Sequence, residues 1–169
     1  DVVNSSLGYL DWYSYCDMDG NTAITTIGVD IAASLGLACV TSAGNWANED
    51  PPEDPCETLS YYISAPADAD SVIAVGAVSA DSIITYFSSR GPSYDGRIKP
   101  EVSALGVGVA VANPAGGYSV FYSGTSASSP LVAGAAAVLL SANPQWNNME
   151  VREALMMTAS QADMPNNDY

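Results

Sequence analysis

The residues Gly124-Thr125-Ser126-Ala127-Ser128-Ser129-Pro130-Leu131-Val132-Ala133-Gly134 carry more structural information than any other segment of this 169-residue sequence. A glycine turn runs into small residues and then into alanine, valine and leucine. The pattern predicts a helix over 125–141 with Pro130 inside its first turns. Ser126 then stands where backbone N–H groups have no partner inside the helix, and those donors together with the helix dipole favour negative charge. A hydroxyl nucleophile needs that setting when an oxyanion forms beside it. Taken alone, the same residues also fit a serine that only caps a packed helix.

Upstream, Val2 to Leu7 reads as a short strand ending at Gly8, followed by a polar, acidic loop over 9–21. From Thr22 to Leu35 the apolar residues Ile24, Ile27, Ile31 and Leu35 recur at helical spacing, and Gly36 is placed to stop that helix. Leu37 to Thr41 is a short buried strand. Residues 46–60 contain Pro51, Pro52, Pro55 and five acids, and form a surface loop. Further strands are expected at Ser71–Gly76, Ile83–Phe87 and Val107–Ala112, with an alternating stretch around Tyr118–Tyr122. Past Pro144 a last helix covers about 148–159, with Val151, Leu155 and Thr158 on one face. Strands alternating with helices predict an α/β fold of three layers, a mainly parallel sheet with helices on both faces. No repeat or linker divides the chain, whose length suits one domain or a piece of a larger one.

Nineteen acidic against four basic side chains give a net charge of −15, and 48% of the residues are hydrophobic, enough for a core. Lys99, Arg90, Arg97 and Arg152 cannot form a basic patch, which excludes a phosphate-backbone binder and disfavours an anionic membrane surface. No apolar run approaches 18 residues without a polar break, so no membrane span is expected. The sequence has no histidine, so it holds no complete Ser-His-Asp or Cys-His unit and no histidine metal ligand. Cys39 lies in an apolar run and reads as a buried small hydrophobe. Cys16 and Cys56 lie in polar stretches, and pairing or free thiols are both open. Asp17-Met18-Asp19-Gly20-Asn21 is near a calcium loop in composition, but its glycine comes too early and no glutamate is correctly spaced, so a solvated acidic loop is expected. Glu49, Asp50, Glu53, Asp54 and Glu57 read as a second such loop. Asn4-Ser5-Ser6 has the form of a glycosylation sequon but falls in a predicted strand. A phosphate loop lacks its Gly-Lys-Ser/Thr, and an α/β-hydrolase elbow lacks both its final glycine and a downstream histidine.

Gly124-Thr125-Ser126-x-Ser-x-Pro-x-Val-Ala-Gly resembles the serine motif of the subtilisin-like serine peptidases, the subtilases. Ser5-Ser6-Leu7-Gly8 resembles that family's substrate-binding strand, and Thr41-Ser42-Ala43-Gly44-Asn45 its oxyanion-hole segment. Phe87-Ser88-Ser89-Arg90-Gly91-Pro92, with Asp95-Gly96-Arg97-Ile98-Lys99-Pro100-Glu101, resembles its approach to the serine. Asn143-Pro144-Gln145-Trp146 and Val151-Arg152-Glu153-Ala154-Leu155 continue into its C-terminal helix. The four ordered segments span nearly the whole chain. The resemblance implies that Ser126 is a nucleophile attacking a peptide carbonyl, with Asn45 and the Ser126 N–H receiving the oxyanion. It implies that Ser6, Leu7 and Gly8, and Ser42, Ala43 and Gly44, flank a polypeptide substrate as added strands; alternatively these glycines only end strands. Leu131 replaces the family's usual histidine after the motif proline, and Ala104-Leu105-Gly106 its usual Ala-Pro-Gly; neither carries the chemistry.

The family's Asp and His motifs are absent, and its chain order Asp, His, Ser places both upstream of Asp1. Residues 1–169 are accordingly expected to be the C-terminal portion of a subtilisin-like peptidase domain, with the missing N-terminal part as their partner. Alone they should be inactive and expose sheet edges. The resemblance also implies a secreted or cell-surface location. It implies calcium as a common family ligand, though no metal ligands are assignable here. The competing function is a non-catalytic, subtilase-like binding or scaffold module.

Overall fold

The computed structural model describes residues 1–48, 50–56 and 61–168. Glu49 and Glu57 of the second acidic loop lie outside them. Four strands form one parallel sheet in sequential order: β1 Val2–Ser5, β2 Ala38–Ser42, β3 Ile73–Val78 and β4 Val102–Leu105. The register pairs Val2 with Ala38, Val40 with Ile73 and Val75 with Val102. Helix α1 spans Ile24–Ser34, α2 Thr125–Ala142 and α3 Asn148–Met157. An antiparallel hairpin of β5 Val109–Ala112 and β6 Tyr118–Tyr122 stands apart from the sheet.

Alternate residues of the central strands enter two cores, so helices cover both faces as the apolar runs predict. Cys39, Val72 and Ala74 pack with Val29 and Ala32 of α1. Val40, Ile73 and Val75 pack with Val132 of α2 and Leu155 of α3 on the other side. By length and composition α2 is apolar enough to cross a membrane. It lies instead across all four strands, with Ala136 fully buried, which is the position of a core helix.

The helix ends follow their residues. Gly36, at φ +93°, closes α1: its N–H reaches Ala33 O at 2.9 Å while the Leu37 N–H reaches Ala32 O at 3.2 Å, a Schellman ending. Asn147 caps α3 by accepting from the N–H groups of Met149 and Glu150, and Glu150 accepts the Asn147 N–H at 2.7 Å. Below the sheet, Lys99 Nζ donates to Glu101 Oε1 at 2.7 Å and to Ala69 O at 2.8 Å, and Arg152 reaches the same Oε1 at 2.8 Å. Burial pushes the Lys99 ammonium below its ordinary range, against the opposing pull of Glu101.

One predicted strand needs correction. Ile83–Phe87 is not a strand. After a tight turn with Ser82 at φ +59°, this segment makes one bridge, Val78 to Ile84, flanked by the Ser79 N–H to Ile83 O at 2.8 Å and the Thr85 N–H to Ala77 O at 2.9 Å, and pairing stops where Ser88 Oγ takes the Ala77 N–H at 3.0 Å. The β4 strand had no expectation, because Val102-Ser103-Ala104-Leu105 mixes polar and small residues. The Cys16–Cys56 question resolves as a disulfide with Cα atoms 5.1 Å apart, and Cys39 is free and buried.

The first strand lies at an open sheet edge, with Val3 46% exposed. The apolar residues Ile24, Ile27, Ile31 and Leu35 that predict α1 are all exposed, and Thr26 and Ala33 face inward instead.

Candidate active site

Gly124 adopts φ +150° and ends the hairpin; Thr125 and Ser126 are the first two residues of α2. Thr125 is fully buried and joins the serine turn to the segment after β2. Its hydroxyl accepts the Gly44 N–H at 3.2 Å and lies 3.0 Å from Asn45 Oδ1, and its own N–H donates to that Oδ1 at 2.8 Å. An N–H donor must face an oxygen, so the side-chain amide of exposed Asn45 has one orientation: Oδ1 toward Thr125 and Nδ2 outward. A side-chain atom placed on Gly124 would stand 3.0 Å from Ser126 Oγ and 3.6 Å from Asn45 Nδ2. Ser126 Oγ and the Asn45 amide therefore converge on the same small region beside this glycine.

Pro130 explains how the neighbouring strand is attached. It has no N–H to return to the Ser126 carbonyl four residues earlier. That carbonyl accepts the Ser6 hydroxyl at 3.0 Å. Ser129 Oγ adds a 2.6 Å hydrogen bond to Asn4 Oδ1. The structure thus brings Ser6 and Asn45 to the serine turn from two different strand ends.

The segments at 6–8 and 42–44 are joined by a third. The Ser64 N–H donates to Ala43 O at 3.1 Å, and the Tyr9 N–H donates to Ala65 O at 2.9 Å. Ser64 lies fully buried between Gly8 and Gly44, and its hydroxyl has no hydrogen-bond partner. A Cβ on Gly8 would stand 2.6 Å from Ser64 Oγ, and one on Gly44 would stand 2.7 Å from Ser89 Oγ and 3.2 Å from Ser64 Oγ, at a backbone φ of +121° that favours glycine. Ser42 and Ala43 are buried, whereas Leu7 is exposed.

Two contributors escaped the sequence reading. Ser64 has no recognisable pattern around it, and only its place in the fold reveals it. Tyr122, at the end of β6, has its hydroxyl 3.0 Å from Ser126 Oγ. Its position four residues before the serine, in an alternating stretch, was a usable signal.

No group of three His, Cys, Asp or Glu side chains among the described residues is placed to hold a metal ion. The acidic loop uses its carboxylates internally. Asp19 Oδ1 accepts the N–H groups of Asn21 and Thr22, both at 2.8 Å, and Asp17 Oδ2 accepts the Ser14 N–H at 2.7 Å. Burial works against the Asp19 charge, but these hydrogen bonds hold its carboxyl below the ordinary range. With these carboxylates turned onto the loop's own backbone, the described residues of this acidic loop do not fit a calcium site.

The subtilase family model matches residues 1–169. Subtilisin E of Bacillus subtilis (strain 168) is 39% identical over 160 residues, which is 95% of this chain and 36% of the relative. Subtilisin of Bacillus pumilus is also 39% identical over 160 residues, 95% of this chain and 50% of the relative. Among solved structures, the self-cleaved protease domain of PatA superposes with a TM-score of 0.70 at 28% identity, covering 95% of this chain and 54% of that one. The chain thus spans between a third and about half of the length of these three proteins. With the family model matching the whole chain and relatives 39% identical over 95% of it, the chain belongs to the subtilase family.

Proposed function

We propose that these residues form the nucleophile and oxyanion side of a serine endopeptidase. Ser126 Oγ attacks the scissile carbonyl as its proton passes to a general base, the C–N bond breaks and the protonated amine leaves, and water then hydrolyses the acyl ester to free the acid and restore the hydroxyl. The observation that carries this reading is the fixed Asn45 amide: Oδ1 is held by the Thr125 N–H and hydroxyl, which leaves Nδ2 free to donate, and the amide and Ser126 Oγ both border the space beside Gly124. The Ser126 N–H, at the start of α2, makes no intrahelical hydrogen bond and is the second donor. The segments 6–8 and 42–44 would bind the polypeptide as flanking strands.

A histidine general base must come from outside these residues, since the sequence contains no histidine, and the family's chain order puts the carboxylate that orients it there as well. We therefore take the chain as the C-terminal portion of the peptidase domain and expect it to be inactive by itself. The Cys16–Cys56 disulfide supports an oxidising, extracytoplasmic location. Intact Ser126 and Asn45 speak against a binding-only module.

The test is peptide hydrolysis by the parent protein that contains these residues. Ser126→Ala should abolish turnover. Asn45→Ala should lower kcat by about 10²–10³, the scale known for one oxyanion donor in a related subtilisin, with KM little changed. Retained hydrolysis in Ser126→Ala would refute the assignment.

A further inference from the structure

Asn45 lies beyond the end of β2 at Ser42, outside the sheet. The Ala43 N–H still reaches Val75 O at 3.0 Å, and Gly44, at φ +121°, then turns the chain away. Thr125 holds the Asn45 side chain at its far end. The direction in which that side chain leaves the backbone is set by the two peptide planes on either side of its Cα. One residue holds both. The Ser89 N–H donates to Gly44 O at 3.0 Å, and the Ser89 hydroxyl accepts the Trp46 N–H at 3.1 Å. The first bond pins the peptide before Asn45 and the second the peptide after it.

Ser89 is itself fixed. It is fully buried, and its neighbours are bonded on both sides. The Ser88 N–H donates to Thr85 O at 3.1 Å, and the Ser88 hydroxyl accepts the Ala77 N–H of β3 at 3.0 Å. The Arg90 N–H donates to Tyr61 O, and Arg90 O accepts the Ile63 N–H, both at 3.0 Å. An exposed side chain is thus mounted on a buried clamp.

Resting on the proposed function, we infer that Ser89 is a positioning residue for the oxyanion hole. It touches no substrate and acts through Asn45, whose amide must meet the oxyanion where it forms. Ser89→Ala removes the bond to Trp46 and keeps the backbone bond to Gly44. A misplacement of about 1 Å can cost about 10²-fold, so with one of the two pins retained kcat should fall about tenfold. KM should stay within about twofold, because the loss is confined to the transition state.

The test is a double-mutant cycle in peptide hydrolysis by the parent protein, with Ser89→Ala and Asn45→Ala made singly and together. With Asn45 already alanine, Ser89→Ala should cost no further kcat. Ser88→Ala is the control: it also leaves one buried backbone N–H without its acceptor, but one that serves β3. It should lower the urea midpoint about as much as Ser89→Ala and leave kcat unchanged. Ser89→Cys, which keeps a side chain in place but offers only a weak acceptor, should show the same pattern as Ser89→Ala and replaces it if the alanine variant does not fold. Losses that multiply in the double mutant, an unchanged kcat in Ser89→Ala, or an equal kcat loss in Ser88→Ala would each overturn the inference. In a parent that hydrolyses no peptide, the Asn45 side-chain amide signal, identified in nitrogen-15 spectra by its loss in Asn45→Ala, decides instead. A signal shifted or broadened by Ser89→Ala and not by Ser88→Ala would sustain the clamp while refuting the peptidase reading; an unmoved signal would overturn the clamp as well.

Discussion

Replacing Thr125 by valine removes one oxygen from the joint between the serine turn and the oxyanion segment while keeping the shape of a fully buried side chain. The hydroxyl is the acceptor for the buried Gly44 N–H at 3.2 Å, and its single proton is shared between Gly44 O at 3.2 Å and Asn45 Oδ1 at 3.0 Å. Valine leaves the Gly44 N–H without its acceptor, which costs about 1–3 kcal/mol of stability. Asn45 Oδ1 keeps its 2.8 Å bond from the Thr125 N–H, so the amide remains oriented but less firmly. Losing one of two bonds worth about 0.5–1.5 kcal/mol should reduce kcat by roughly 2- to 13-fold. That is far less than the loss from Asn45→Ala. Urea unfolding and peptide-hydrolysis kinetics on the parent protein measure the two effects separately, and Thr125→Ser should restore most of both. A kcat loss as large as that of Asn45→Ala would refute the claim that the Thr125 N–H orients the amide. So would the absence of any stability loss refute the described joint.

Two further perturbations read other parts of the framework. The Cys16–Cys56 bridge closes a loop with a sequence separation of 40. Reducing it, or making Cys16→Ser with Cys56→Ser, should lower stability by about 4 kcal/mol on the chain-entropy scale; an unchanged urea midpoint would contradict a structural disulfide. Burial raises the Asp68 carboxyl above its ordinary range, against the lowering effect of the Thr26 and Gly20 hydrogen bonds. A carboxyl raised in the native state binds its proton more tightly than in the unfolded chain. Its stabilising contribution is therefore full below about pH 3.9 and is lost as pH rises through the native value. The urea midpoint of Asp68→Asn should gain on that of the unaltered protein between pH 4 and pH 7, and a constant or opposite difference would contradict the direction.

The sequence makes the layers legible because β2 and β3 lie in short apolar runs that need cover on both sides, and Gly36 marks a helix end by its own chemistry. It misleads at Ile83–Phe87, where a short apolar stretch follows a tight turn and the side chain of Ser88, not a strand partner, takes the Ala77 N–H. It is silent at β4, whose residues earn their place through the parallel register with β3. For the site, the motifs point to Ser126, Asn45 and the two glycine-ended walls, since each needs a particular residue type at a fixed spacing. Ser64 and the hydroxyl of Tyr122 carry no such signature. They reach the site only through folding, from an irregular segment and a hairpin end.

The central claim is that Ser126 is a nucleophile activated by groups outside these residues. A fluorophosphonate reagent applied to the parent protein, followed by mass spectrometry of the proteolytic fragment containing Gly124-Thr125-Ser126, measures it directly. The account predicts one covalent adduct on Ser126 that forms in step with the loss of peptide hydrolysis, and no adduct on the 169-residue chain alone. Hydrolysis that persists with Ser126 fully modified, inactivation with the adduct on another residue, or rapid labelling of the isolated chain would contradict it.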